Sequence, residues 1–575
     1  MVNMPSDPNS REAWDAIWAT EGEGTWRTYP KIYARIVHLV APGSHVLDLG
    51  CGVGKLLDHL KTEKNCITSG IDISNIACAA ARAKGHQVHP LTLTAATHHL
   101  LDLAPVDYII GTEFLEHLDI ETIKSLLRRI TAFHKQAIFA VPNNCMGPDE
   151  ESQHQQKWTA IEFKHLLEQY FGQGNVRVEC IDDSAPRLLG VCNFPKPYKL
   201  AFTMPVWNES RDIERVLKSF RGAADYVVIG VDDKTNDDTA AIARRYADEV
   251  FFFTWEKHFA KARNVCIEHC RPMLTPNDWI FMSEGHEHLE AGLDELLNLD
   301  QIKPGFHVVE VRREDRDNAW MFPWLFRNRS ELVFENAAHN ILVYDEKRCT
   351  QIPAIRTWHE ASTENRKARA VQRKGMNRQL LLDKLRADPK DARSCFYLAN
   401  EWKSENPDKA IEYYQRYLFL NKKNGPERYQ ARLSMSQCLL QRVGKTKQQE
   451  DMQLIYDTLI VASADDWSRN EHWLMLGDLC ATQPDRLEQA MRFYELAAVS
   501  IGREPLTFMW IEKSSYGWLP AQKLVTIYAK AGMLKDALHW CERVVELLPA
   551  WAPTEAHTEV ELHRRTIIEK MKETA

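Results

Sequence analysis

Val46-Leu-Asp-Leu-Gly-Cys-Gly-Val-Gly54 is an apolar run of strand composition that breaks into three glycines and then into a helix. Glycines at 50, 52 and 54 allow backbone conformations and a close ligand approach that a β-carbon would block. A turn of this kind is shared by several nucleotide-binding sheets, so by itself it decides little. Two acids sharpen it. Asp48 precedes the first glycine, and Asp72 closes the next strand, where its carboxylate can accept from both hydroxyls of a ribose. Outward from the turn the sequence alternates. His45–Leu49, Thr68–Ile73, Val106–Gly111 and Ala137–Pro142 have strand composition, and 56–64, 75–84 and 120–135 have helical spacing. The alternation predicts a parallel sheet covered by helices.

A second alternation follows Asn193-Phe-Pro-Lys-Pro197, whose two prolines suit a linker. Strands are expected at 199–204, 226–231, 249–253 and 279–283, with helices at 213–221, 239–246 and 259–270. From about Val371 strand signals vanish and helix pairs take over. Ala410 with Tyr414 and Tyr417, Ala490 with Phe493 and Leu496, and Ala537 with Trp540 and Cys541 mark second helices. Tyr397–Ala399, Leu476–Gly477 and Leu519–Ala521 mark first helices. Small residues at fixed offsets between large ones let paired helices cross closely. The expected architecture is multidomain α/β plus α, divided at 1–192, 193–370 and 371–575.

Bulk properties agree. At 575 residues the chain exceeds one hydrophobic core. Its 44% hydrophobic and 26% charged residues fit globular domains. No apolar run approaches the roughly 18 residues of a membrane span, and Met1–Arg11 carries no signal-peptide segment. Thirteen cysteines without paired spacing, among them Cys51, Cys78 and Cys266, read as reduced buried thiols of a cytoplasmic protein. A net charge of −8 gives no global basic field for nucleic acid.

The glycine turn and strand-end acid, with Glu113-Phe-Leu-Glu-His-Leu118 after the fourth strand and Ile138-Phe-Ala-Val-Pro-Asn143 on the fifth, resemble class I methyltransferases that use S-adenosyl-L-methionine. The resemblance covers about residues 12–192 and implies a Rossmann-like sheet. It places Gly50, Cys51 and Gly52 along the amino-acid part of the cofactor and Asp72 on its ribose, with Asp48 and Glu113 completing the binding set. Thr92–Thr97 shows no clear acid for the adenine amine, so adenine contacts stay unassigned. A nicotinamide dinucleotide fits the glycine pattern poorly. His117 and His154 are the candidates for taking a proton from the methyl acceptor.

Phe202-Thr-Met-Pro-Val-Trp-Asn-Glu209, Val231-Asp-Asp-Lys-Thr-Asn-Asp-Asp-Thr239, Phe259-Ala-Lys-Ala-Arg-Asn264 and Trp279-Ile-Phe-Met-Ser-Glu-Gly-His-Glu287 occur in an order that resembles family-2 glycosyltransferases of the GT-A fold. The helical tail resembles tetratricopeptide repeats, with a plain helical bundle as the alternative. The first resemblance implies a nucleotide sugar, most simply a UDP-sugar, held by Pro205, Asn208, Glu209, Asp232 and Arg263. Asp237 and Thr239 read as helix caps. Where the family carries Asp-x-Asp, this chain has Glu284-Gly-His286, and His359 falls where the family has a later histidine. The three imply a divalent site in which imidazole favours Mn²⁺ over Mg²⁺. Candidate bases for sugar transfer are Glu287, Asp315 and His339, with Glu314 and Asp317 close by.

Two functions are weighed. One is a bifunctional enzyme that adds a sugar to a macromolecular or glycan acceptor docked on the repeats and methylates sugar or acceptor. The other is a repeat scaffold with an inert catalytic domain. Modified bases of viral DNA are a further acceptor class, for which Arg312-Arg313 and Arg366–Arg373 are the basic stretches.

Overall fold

The computed structural model describes residues 7–21, 29–101, 103, 105–133, 135–183, 185–193, 197–360, 375–446, 449–550 and 552–573. Phe194–Lys196 of the Pro-rich segment, most of Met1–Arg11 and the basic stretch Arg366–Arg373 lie outside the described residues.

The first sheet holds β1 (His45–Leu49), β2 (Ile67–Asp72), β3 (Gln87–Pro90), β4 (Tyr108–Thr112), β5 (Gln136–Pro142), β6 (Val176–Asp182) and β7 (Pro186–Cys192), in the order 3-2-1-4-5-7-6. The first five are parallel; β7 runs antiparallel to β5 and to β6. Around it pack α1 (Arg11–Glu21), α2 (Pro30–Leu39), α3 (Lys55–Lys64), α4 (Asn75–Ala83), α5 (Ile120–Ala132) and α6 (Ala160–Phe171). Local chemistry fixes their starts. Ser74, Asp119 and Thr159 each accept from a backbone N–H in the first turn of α4, α5 and α6, and Glu162 closes a capping box on Thr159. Chain order reverses between β1 and β4, which opens a crevice at the carboxyl ends of the strands.

The second sheet gathers β8 (Leu200–Val206), β9 (Tyr226–Asp232), β10 (Glu249–Phe253), β11 (Trp279–Met282), β12 (Glu287–Ala291), β13 (Val308–Glu314) and β14 (Asn318–Arg327). A two-stranded ribbon, β15 (Phe334–Glu335) with β16 (Ile341–Leu342), lies apart from it, and β17 (Cys349–His359) rejoins the sheet. The order is 10-9-8-11-14-13-17-12. α7 (Ile213–Arg221), α8 (Thr239–Ala243), α9 (Phe259–Cys270) and α10 (Leu293–Leu296) are its helices. β8 to β11 are mutually parallel, and a second reversal lies between β9 and β11 around β8. β12 lies antiparallel on β17 with Glu287 opposite His359.

The two sheets share one apolar core that runs from Leu47 to Ile355. Charge is buried at their seam. Lys164 Nζ donates to Asp225 O (2.6 Å) and Asp248 Oδ1 (2.7 Å), and Arg221 meets Asp248 Oδ2 at 2.8 Å. Arg35 donates to both oxygens of Glu179 and to Asp294.

The tail is a stack of antiparallel helices from Met376 to Glu573, with Ala410, Tyr414 and Tyr417 buried as the spacing predicts. Two expectations are corrected. Leu496 is exposed and Tyr494 is the buried ring of its helix, while Phe493 is partly buried and stacks on Trp473. Strand structure does not end at Val371, since β18 (Ile511–Glu512) pairs with β14 and extends the second sheet from within the tail. All thirteen cysteines are free thiols, ten of them buried.

Candidate active sites

The first crevice, about 340 Å³, lies where β1 and β4 diverge. The loop after β1 forms its floor. Gly50 has φ +71°, and a β-carbon there would come within 2.7 Å of the Phe114 ring, so only glycine fits. Asp72 at the end of β2 accepts from Gly52 N (2.9 Å) and Ser74 N (2.8 Å), which ties the glycine turn to the next strand. Asp48 is fully buried and its Oδ1 has no hydrogen-bond partner among the described residues. Burial first, then the Asp72 charge, pushes its carboxyl well above the usual range. Burial likewise raises the Cys51 thiol. Glu113, in left-handed backbone at φ +51°, is ion-paired with buried Arg187 at 2.8 Å.

Trp14 and Trp18 of α1 line the crevice, with Tyr29 and Tyr33 on another wall. Asp15 Oδ1 accepts from Ser74 Oγ (2.5 Å) and fastens α1 to α4. Burial, then Glu113, lifts the Tyr29 hydroxyl to about 12. Leu91, Thr92, Leu93 and Thr94 line the side where no acid was found in the sequence. His117 lines the rim, its Nδ1 3.0 Å from Gln153 O. His154 is buried behind it with Nδ1 on Met146 O, ring centroids 4.8 Å apart. Burial, then Glu113, raises the Glu116 carboxyl well above the usual range.

The second crevice, about 90 Å³, opens at the carboxyl ends of β8, β9, β10 and β11. Pro205, Glu209, Asp232, Arg263, Glu284, Gly285 and His286 all line it. Burial raises the Asp232 carboxyl. Two of its lining residues, Glu284 and His286, converge with His359. The two imidazole Nε2 atoms are 2.9 Å apart, and Glu284 Oε2 is 3.3 Å from one and 3.6 Å from the other. The register of β12 on β17 produces this meeting, because it sets His359 beside the residue that follows His286. Arg263 donates to Glu284 Oε1 at 2.9 Å and Arg313 to Oε2 at 3.4 Å. Burial opposes ionisation of Glu284, but Arg313 and the two imidazoles outweigh it and hold the carboxyl well below the usual range.

Several sequence-predicted residues fall elsewhere. Glu287 is fully buried and accepts from Arg313 Nε (2.7 Å), Trp324 Nε1 (3.1 and 3.2 Å) and Thr357 Oγ1, and it does not line the crevice. Asp315 accepts from Asp317 N, Asn318 N and Asn318 Nδ2 and closes the β13–β14 turn. Glu314 pairs with Arg312 and Lys513. His339 stacks on Tyr397 of the tail, centroids 3.9 Å apart, away from the crevice lining. Asn208 bridges to Asn236 and locks the loops after β8 and β9 together. Asp237 accepts from Ser210 N and Thr239, a loop tie rather than a helix cap. A β-carbon on Gly285 would lie 2.6 Å from Glu209, so this glycine makes room for Glu209. Arg313, read in the sequence only as part of a basic pair, and Glu116, unassigned there, are the residues the structure adds. The alternation of β13 carried the signal for Arg313, and the Glu116-His117 pair the signal for Glu116.

Residues 31–147 match the family model of the methionine biosynthesis protein MetW, and residues 202–282 match glycosyl transferase family 2. No match was found among curated proteins. Solved structures similar to parts of the chain include MamA, at 15% identity, covering 32% of this chain and 95% of that one with a TM-score of 0.24. A SAM-dependent methyltransferase from Archaeoglobus fulgidus is 20% identical, covering 29% and 78%, with a TM-score of 0.25. Phosphoethanolamine N-methyltransferase 2 of Haemonchus contortus is 15% identical, covering 32% and 46%, also at 0.25. The two family matches support a transferase that joins a methyltransferase-like segment to a family-2 glycosyltransferase segment. Among the described residues no helix is long and apolar enough to cross a membrane.

Proposed function

We propose that the chain is a bifunctional transferase. Its first crevice binds S-adenosyl-L-methionine and methylates a sugar or the acceptor bearing it. Its second transfers a sugar from a nucleotide sugar to a macromolecular or glycan acceptor. In this reading 1–192 is a Rossmann-like methyltransferase domain, 193–370 a GT-A glycosyltransferase domain, and 371–575 a tetratricopeptide-like tail that docks the acceptor.

The first crevice suits the cofactor on its own chemistry. A glycine floor closed to any β-carbon, the carboxylate of Asp72 at a strand end and the unpartnered Asp48 Oδ1 offer backbone contact and acceptors to a cationic, ribose-bearing ligand. The cofactor supplies an activated methyl group. Trp14, Trp18, Tyr29 and Tyr33 enclose the space beside it, which excludes water and orients the acceptor.

In the second crevice Asp232 and Glu209 offer acceptors to the base, and Arg263 offers a guanidinium to the diphosphate. The observation that carries the reading is the convergence of Glu284, His286 and His359 beside Arg263. These three residues would hold a divalent ion, Mn²⁺ before Mg²⁺, whose charge would stabilise the leaving diphosphate. Glu287 and Asp315 are both engaged by other donors and neither lines the second crevice, which favours a different group as the acceptor's base. The ion pairs of Arg263 and Arg313 with Glu284 favour a second reading, in which the two arginines supply the positive charge without a metal.

Incubation with a panel of nucleotide sugars, followed by mass spectrometry for donor hydrolysis with and without Mn²⁺, tests the proposal. Hydrolysis of one donor, stimulated by Mn²⁺ and abolished by His286→Ala, is the expected result. Full-rate turnover under saturating chelator would leave the metal-free reading standing.

A further inference from the structure

We infer that Glu116, His117 and His154 form a separate divalent-cation site at the rim of the first crevice, which holds two adjacent hydroxyl oxygens of a polyol acceptor. The acceptor half of this statement rests on the methyltransferase reading; the cation half does not.

One ligand atom from each residue lies within 4.8 Å of the others. Glu116 is only 1% exposed, and neither of its carboxylate oxygens has a hydrogen-bond partner among the described residues. A carboxylate shielded from water in this way is costly unless it is protonated or a cation approaches it. Both imidazoles are already oriented as ligands usually are. Each Nδ1–H is given to a backbone carbonyl, Gln153 O for His117 and Met146 O for His154, which leaves the lone pair of the neutral ring on Nε2. The loop that supplies these carbonyls is itself anchored. Gln155 N and Gln156 N donate to Glu116 O at 2.6 and 3.2 Å, and Asn9 Nδ2 donates to Gln153 O at 2.9 Å. Trp14 packs edge-on against His117 at 5.2 Å. Arg187 already engages Glu113, so the set has three members.

One carboxylate and two imidazoles suit Mn²⁺, Zn²⁺ or Fe²⁺ better than Mg²⁺ or Ca²⁺. Three protein ligands leave positions open, and two neighbouring hydroxyls of a sugar fill adjacent positions of one ion. His117 lines the same crevice as Gly50 and Asp72, so an acceptor held there lies beside the proposed methyl donor.

The test counts Mn²⁺ bound to the full chain by electron paramagnetic resonance of the free ion. Glu116→Gln and His154→Asn are each measured in the wild-type and His286→Ala backgrounds. Each is expected to lower the count by one in both backgrounds, whatever His286→Ala does by itself. An unchanged count in both variants would overturn the site. A count that falls while calorimetry detects no S-adenosyl-L-methionine binding keeps the cation and removes the methyltransferase reading. In His286→Ala protein, methyl β-ribofuranoside should lower the Mn²⁺ enhancement of water proton relaxation and its 2-deoxy counterpart should not. Equal effects would overturn the acceptor class.

Discussion

Glu284 and Glu287 stand three residues apart and put the same carboxylate to different uses. Glu287 is enclosed by Arg313, Trp324 and Thr357 and fixes the strands behind the crevice. Glu284 faces the crevice between two arginines and two imidazoles. The sequence could name both as acids at a strand end but could not separate them, because the donors to Glu287 come from three other strands. The metal set was more legible. His286 follows Glu284 at a strand end, and His359 was placed by resemblance; the β12–β17 register then brings the two rings together. At Asp72 the structure adds to the sequence reading, because this carboxylate also braces Gly52 and Ser74 through their N–H groups. Asp72→Ala should therefore weaken S-adenosyl-L-methionine binding by tenfold or more, since a charge-assisted hydrogen bond is worth roughly 1.5–3 kcal/mol. Its melting temperature should drop as well. Calorimetry with and without ligand reads both effects, and an unchanged affinity would take Asp72 off the cofactor.

Among the elements, the parallel strands were the most readable and the antiparallel ones the least. β1, β4 and β5 are largely apolar runs because both faces are covered, and β2, with Thr68, Ser69 and Gly70, was read from its place after the glycine turn. β6 and β7 escaped notice because Arg177, Glu179 and Arg187 are buried within them and break the apolar signal. β18 is two residues long inside a helical tail, and no local pattern announces it. Its place is set by the far side of the contact, where Lys513 N donates to Asp317 O (2.6 Å) and Ser514 N to Asp317 Oδ1 (2.9 Å). The small-to-large pattern of the tail helices was legible, and its physical content is sharpest at Gly477. A β-carbon there would lie 2.3 Å from the Tyr494 ring, whose hydroxyl is held by Asp478 at 2.6 Å. The ring cannot yield without losing that bond. Gly477→Ala, which would stabilise an isolated helix, should instead cost about 1–3 kcal/mol by overpacking. Chemical denaturation of the full chain measures it, and a stabilised variant would mean that the helix pair is not packed in this way.

At the scale of the molecule, the Pro-rich segment suggested two α/β units joined by a linker, whereas the structure joins their sheets through a buried charged seam. α6 belongs to the first sheet, yet its Lys164, 1% exposed, reaches Asp225 O and Asp248 on the second. Asp248 is the hub, since it also takes Arg221 at 2.8 Å and Val227 N at 2.8 Å. Burial raises its carboxyl, but Arg221 and Lys164 outweigh that and hold it below the usual range. A carboxyl whose folded value is depressed adds stability that is present above the unfolded value, about 3.9, and is lost as pH falls through the folded value. The seam should therefore weaken on acidification below about pH 4, where the unfolded chain starts to gain protons that the folded one resists. Removing one partner of a buried pair leaves the others uncompensated and costs roughly 3–5 kcal/mol. Asp248→Ala strands both Lys164 and Arg221 and should fall in that range. Lys164→Met keeps the stem volume and leaves Asp248 paired with Arg221, so it should cost less. Because one apolar core crosses the seam, Asp248→Ala should lower the unfolding of both sheets together in differential scanning calorimetry. Two separate transitions, with only the second-sheet one shifted, would mean that the units unfold independently and that the seam is a contact between autonomous domains.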